Sequence, residues 1–213
     1  MAKETKRIHD EEGPTNESYG CPSNDELGRN LTIGMNKGHK DMGDFGLSVI
    51  RLKEDDTVLD IGCGGGINLK RMAEKAKHIT GIDISDMACQ VSKEVNEEEV
   101  KSNKVEVLKA DVSNYDVASE TYTVITSFSS VYFWKDRPTS FKNIFRILKK
   151  GGSFYLVVSM KEKLIPYTNI PGLIATDEYV MMKELNEAGF DRIVFNFKRE
   201  KGWIVIEAIK NNN

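Results

Sequence analysis

Val58-Leu59-Asp60-Ile61-Gly62-Cys63-Gly64-Gly65-Gly66 decides how the rest of this chain is read. An apolar run that closes on an acid and enters a glycine cluster is a buried strand turning sharply into a helix. Glycines there let the backbone bend and let a ligand approach it closely, and the free amides of the helix that follows favour an anionic group. A glycine-rich turn alone is also a plain tight connection, so the spacing has to discriminate. A dinucleotide fingerprint starting at Gly62 would need glycine where Ile67 stands. A Walker-type phosphate loop would need a Gly-Lys-Ser/Thr ending, which is absent. The motif is Gly-x-Gly-x-Gly, with Asp60 two residues upstream.

Outward from this motif the chain alternates strands and helices. Residues 57–61 form the first strand, and the next helix carries Leu69, Met72, Ala73 and Ala76 as one apolar stripe. Strands follow at 79–83, 105–108 and 122–127, with Ser85 placed to cap the helix after the second of them. A helix at 138–148 shows Phe141, Ile144, Phe145 and Leu148 on one face; Gly151-Gly152 closes it and feeds a strand at 154–158. A last helix starts at Thr176 and stops at Gly189, and residues 192–197 and 203–209 alternate as a hairpin. The expected fold is α/β and doubly wound: a mostly parallel, seven-stranded sheet with helices on both faces and a C-terminal antiparallel hairpin. Residues 1–44 are expected to be an N-terminal arm and substrate lid, with 33–39 a glycine-punctuated loop, and residues 45–213 to be the domain itself. A helix with Phe45, Val49 and Leu52 on one face opens that domain.

Leu59-Asp60-Ile61-Gly62-Cys63-Gly64-Gly65-Gly66 resembles the first motif of the class I S-adenosylmethionine-dependent methyltransferases. The likeness continues in order through Gly81-Ile82-Asp83-Ile84-Ser85, Lys109-Ala110-Asp111-Val112 and Arg146-Ile147-Leu148-Lys149-Lys150-Gly151-Gly152. It spans roughly residues 45–210, and four segments in register are far more specific than any one. The resemblance implies a methyltransferase, of the small-molecule type within the family, with S-adenosylmethionine as its cofactor. It places the turn Gly62, Cys63, Gly64 against the methionyl part, Asp60 beside the ammonium end, and Asp83 under the ribose hydroxyls. It also sets Ile84 and Met87 around the adenine, Asp111 at the adenine amino group with the Val112 amide on the ring, and Ser127 at the end of the fourth strand. That strand runs on into Tyr132-Phe133-Trp134, where the family faces the transferred methyl group. Neither Asn/Asp-Pro-Pro-Tyr/Phe nor a Pro-Cys nucleophile stands there, so an apolar pocket wall is expected from Tyr132 and Trp134, with Phe133 assigned to the core by alternation. Met35 and His39 lie where the family places its substrate-side lid; His39 is the candidate catalytic base or substrate contact.

Composition narrows the acceptor. Hydrophobic residues make up 39% and charged residues 30% of 213, with a formal net charge of −3 and no basic stripe, which argues against a nucleic-acid partner. No apolar run approaches the ~20 residues of a membrane span, and the start has no signal-like apolar region. Cys21, Cys63 and Cys89 are odd in number and lie far apart, without metal-ligand spacing, which suits a reducing cytoplasm and no metal. A small-molecule acceptor is the leading expectation. The alternatives are a protein or RNA methyltransferase, a module that holds S-adenosylmethionine without transferring methyl, and a nicotinamide oxidoreductase on a similar sheet.

Overall fold

The structure, a computed structural model, describes residues 18–212. Residues 1–17, the first part of the expected arm, lie outside the described residues. Thr57–Ile61 (β1), His78–Asp83 (β2), Val105–Lys109 (β3), Tyr122–Phe128 (β4) and Leu148–Ser159 (β5) run parallel to their neighbours. Arg192–Lys198 (β6) and Trp203–Ile209 (β7) form a hairpin whose second strand pairs antiparallel with β5. The seven strands order as β3-β2-β1-β4-β5-β7-β6. Strand order therefore reverses between β1 and β4, and the crevice beyond their carboxyl ends is where such sheets bind ligands.

Helices Glu26–Gly38 (α1), Lys40–Val49 (α2), Ile67–Ala73 (α3), Asp86–Val95 (α4), Glu97–Lys101 (α5), Arg137–Ile147 (α6), Lys161–Leu164 (α7) and Glu178–Ala188 (α8) complete the chain. Successive residues of β1 point to opposite faces and enter two separate cores. Leu59 and Ile61 join Phe141, Ile144, Phe154, Leu185 and Ile206, the core that α6 and α8 cover. Val58 joins Met42, Leu69, Met72, Ile79 and Val157 under α2 and α3. Both faces are dry, so β1 and β2 are buried along nearly their whole length. Helix starts follow their capping residues: the Ser85 hydroxyl accepts the Ala88 N–H (3.2 Å), Asp136 accepts from Thr139 (3.0 Å), and Asp177 accepts from Tyr179 (2.8 Å). Asp177, rather than Thr176, is thus the last residue before α8.

Three expectations need correction. Residues 33–39 are not a loop but the end of α1 and its junction with α2. Glycines at 28, 34 and 38 lower helix propensity, yet Asp25 accepts the Gly28 N–H (2.9 Å) and is itself held by the Ser23 hydroxyl (2.6 Å). Gly28 is required where it stands, because a Cβ there would lie 2.0 Å from the Ser23 carbonyl. Second, the helix read through Leu52 ends at Val49. Third, β5 begins at Leu148 and runs through Gly151-Gly152; the glycines accommodate a register shift opposite Tyr122 and Val124 instead of separating helix from strand. No helix among the described residues is long and apolar enough to cross a membrane.

Candidate functional site

The glycine turn is tied to the end of β2 by the backbone. Ile82 O accepts the N–H groups of Gly62 (2.8 Å) and Cys63 (3.1 Å), and Asp83 Oδ2 accepts the Gly64 N–H (2.9 Å). Gly62, Gly64 and Gly66 all have positive φ (69°, 53° and 77°), a region that strains any other residue. Their surroundings differ. A Cβ at Gly62 would strike Ser130, at Gly65 Asn36, and at Gly66 Ser92, whereas a Cβ at Gly64 would meet nothing within 4 Å. Gly64 therefore faces the open crevice.

Two carboxylates sit beside that opening, both buried. Asp60, 2% exposed at the end of β1, accepts the Thr126 hydroxyl (2.7 Å). Asp83 accepts the Ser85 N–H (3.0 Å) on one oxygen and Gly64 on the other, so about half of its acceptor capacity remains free. Among the described residues neither has a cation within ion-pair distance. Burial, reinforced by the nearby Asp83 charge, pushes Asp60 up to about 7 against the Thr126 hydrogen bond. Burial also raises Asp83, opposed by the backbone N–H groups of Ser85 and Gly64. Such a pair repels a pyrophosphate and rewards a ligand that brings positive charge and hydroxyl donors. An ammonium and a ribose diol fit it, and that is the test the S-adenosylmethionine expectation has to pass.

The other expected cofactor contacts gather around the same edge. Ile84, next to Asp83, is 40% exposed, an apolar side chain left open at a strand end, while Met87 behind it is buried in α4. Asp111 is exposed beyond β3, with Oδ1 accepting the Ser113 N–H (2.8 Å), and Val112 is buried with its carbonyl held by Asn143 (2.8 Å). Cys63 turns its side chain inward, 3.9 Å from the Ser92 hydroxyl, and burial lifts its thiol well above the usual value. Only its backbone can serve the crevice.

The end of β4 is built from hydroxyls. Ser127, fully buried, meets the Ser130 hydroxyl (2.7 Å), and Ser130 donates to Ile61 O (2.8 Å) and accepts from Trp134 Nε1 (3.3 Å). Ser129 adopts φ 56°, in the left-handed region that favours glycine, and this bend returns Ser130 to β1. The expectation for the aromatic run is reversed: Tyr132 is in the core, its hydroxyl donating to Ser159 O (3.2 Å), and Phe133 is only half-buried. Residues 131–133 form a 3₁₀ turn, so strand alternation does not apply to them. Tyr132 is therefore removed from the pocket wall, and Trp134 is half-buried and edge-on to Phe141.

Residues missed in the sequence hold α1 and the segment before it against the glycine turn and α4. Asn36 Nδ2 donates to Gly65 O (2.9 Å), Arg29 pairs with Glu94 (2.5 and 3.1 Å), and the Ser85 hydroxyl donates to Pro22 O (3.0 Å). Phe133 lies against Gly20, whose side-chain position its ring would occupy. The Asx-type cap at Asp25 was the available signal for α1; nothing in the sequence marks Asn36 or Pro22. Met35 is half-buried on α1, and His39 is exposed at the α1–α2 junction.

A family model described as "Methyltransferase domain" matches residues 59–156. The uncharacterized methyltransferase YdaC of Bacillus subtilis is 23% identical to this chain over 73% of it and 82% of its own length. Phosphoethanolamine N-methyltransferase 1 of Triticum aestivum is 31% identical over 73% of this chain, which spans only 32% of that enzyme. Among solved structures, Haemonchus contortus phosphoethanolamine N-methyltransferase 2, in complex with phosphomonomethylethanolamine and S-adenosylhomocysteine, superposes with a TM-score of 0.71 at 16% identity. The match covers 86% of this chain and 58% of that one, and it shows a shared fold.

Proposed function

We propose that this chain is a class I S-adenosylmethionine-dependent methyltransferase and that it methylates a small-molecule acceptor. The cofactor supplies a methyl group already activated on a sulfonium; what this chain contributes is binding, alignment and the exclusion of water. The observation that carries the reading is the uncompensated pair Asp60 and Asp83 beside the open Cα of Gly64. Asp60 faces the ammonium, and the free lone pairs of Asp83 take the ribose hydroxyls. The backbone of Gly62, Cys63 and Gly64 lies along the methionyl chain, Ser127 acts through Ser130 at the end of β4, and Ile84, Met87, Asp111 and Val112 surround the adenine.

The acceptor enters from the side of Trp134 and of a cover made from α1 and the segment before it, where Met35 and His39 contact it. Residues 1–44 act as arm and lid: α1 rests on the glycine turn through Asn36, so its opening exposes both ligands and its closure dries the crevice. Support for a small acceptor comes from the phosphoethanolamine methyltransferases among the relatives. Incubating the purified chain with S-adenosylmethionine and a panel of small hydroxyl, amine, thiol and carboxyl compounds tests it. Acceptor-dependent release of S-adenosylhomocysteine, read by mass spectrometry, is the expected result. Release only with protein or RNA acceptors would overturn it.

A further inference from the structure

The tip joining β6 to β7 lies on the same edge of the sheet as the glycine turn. Trp203 pairs with Ser159, the last residue of β5, and Gly202 O accepts the Met160 N–H (2.8 Å). The tip carries Lys198, Arg199 and Lys201 with one acid, Glu200, and α7 adds Lys161 and Lys163 with Glu162. These two segments touch, because the stem of Lys163 covers Gly202, where a Cβ would lie 2.5 Å from Lys163 Cγ. Five cations against two acids gather here on a chain whose net charge is −3. Among the described residues none of the five has a carboxylate within 4.0 Å. Three of them lie over rings instead: Lys198 over Phe45 (5.5 Å) and Trp203 (5.7 Å), Lys201 over Trp203 (5.9 Å), and Arg199 over Phe197 (4.4 Å).

Large apolar side chains stand in water beside this charge. Ile165, just after α7, is 57% exposed, and Ile174 further along the same segment is 48% exposed. Tyr179, 64% exposed, continues by ring contact to Phe195 (6.4 Å) and on to Phe197 (6.0 Å) under Arg199. An exposed isoleucine, Ile165, two residues from the unpaired Lys163 is the chemistry of an anionic lipid interface, where cations meet headgroups and apolar groups reach the acyl boundary. A nucleic acid would use the cations and rings but leave Ile165 and Ile174 wet. A second copy paired along the β6 edge would set Lys198 against Arg192.

We propose that this rim docks the enzyme on an anionic lipid surface, with the acceptor side of the crevice turned toward the headgroups. Co-sedimentation of the full chain with vesicles tests it, comparing phosphatidylcholine alone with phosphatidylcholine plus phosphatidylserine. Binding to the mixed vesicles only, lost in high salt, is expected. K161E/R199E/K201E lowers the bound fraction about tenfold or more. I165S/I174S lowers it as well while the thermal melt stays at the wild-type position, since both side chains are exposed. Equal partition onto both kinds of vesicle, binding to neither, or an unchanged triple variant would overturn the proposal. So would tighter binding to a single-stranded RNA than to the mixed vesicles. No acceptor is present in the assay, so its outcome is separate from the small-molecule reading.

Discussion

The two halves of the crevice are built differently. On the cofactor side, backbone groups of the glycine turn and β2 bond one another directly, and the carboxylates of Asp60 and Asp83 are fixed by Thr126, Gly64 and Ser85. On the side proposed for the acceptor, side-chain bonds from Asn36 and Ser85 hold α1 and the segment before it. A constant ligand can be met by fixed backbone, which is why one half is written in glycines and acids. In the proposed reading the acceptor is met by side chains on a cover, and loops and covers are where binding specificity is changed. Substitutions should therefore separate the halves, with affinity for cofactor lost on one side and turnover on the other.

Gly64→Val is expected to have the largest effect. A β-branched residue at φ 53° is strained, and its methyls fill the space reserved for the ligand, so affinity for S-adenosylhomocysteine falls about a hundredfold or more. Calorimetry that finds wild-type affinity in a folded variant would reduce the turn to a structural bend. Asp83→Ala comes next. Hydrogen bonds to charged groups contribute ~1.5–3 kcal/mol, which corresponds to roughly tenfold to a hundredfold weaker binding. Part of that loss comes from freeing the Gly64 N–H, and Asp83→Asn, which keeps an acceptor for it, should lose less.

Asp60 supplies a pH dependence with a defined sign. Its folded value, about 7, lies above that of an unfolded aspartate, so folding takes up a proton between about pH 4 and pH 7. Stability of the free protein from this group is full at the acid end of that window and is lost as pH rises through 7. Asp83, shifted upward as well, adds in the same direction. Binding a ligand whose ammonium meets the ionised form runs the other way: below pH 7 it releases a proton, and affinity weakens by up to about tenfold per unit as pH falls. Titration calorimetry in two buffers of different ionisation enthalpy reads that proton. Asp60→Asn should flatten the stability slope and remove most of the release; a variant that still releases the proton would place the cation elsewhere.

The placing of Asp60, the glycines, Asp83 and Ile84 was legible because they are strand ends whose positions follow from period and spacing. The sheet was legible for the same reason, and so was the hairpin at 192–209. The cover was not. Its residues act across long separations, as Asn36 does on Gly65 and Ser85 on Pro22, and no short pattern encodes such contacts. Gly28, Gly34 and Gly38 argued for a loop, and tertiary packing against α4 overrode them through Thr32, buried, and the Arg29–Glu94 pair. Tyr132 and Phe133 exchanged roles because a 3₁₀ turn begins at Val131, where alternation along β4 ceases to apply.

Smaller effects test the cover. Asn36→Ala removes one bond to the turn, contributing ~1 kcal/mol, so turnover should fall several-fold while affinity for S-adenosylhomocysteine barely moves. An affinity loss as large as the turnover loss would make α1 a fixed wall of the cofactor site. His39 gives the smallest effect of the series. A general base accelerates by ~10²–10⁴-fold and must come within hydrogen-bond reach of the proton it takes, in a crevice closed to water. His39 is exposed at the junction of α1 and α2, so in the proposed role it touches the acceptor at the rim and does not carry the proton from the reacting atom. His39→Ala should then raise KM for the acceptor by less than about tenfold and leave the pH profile of kcat in place. His39→Gln, which keeps a hydrogen-bonding side chain but cannot titrate, should restore most of the loss. A fall in kcat of a hundredfold, with Gln no better than Ala and the limb of the profile near neutrality gone, would instead make His39 the base and bring the cover into the chemistry itself.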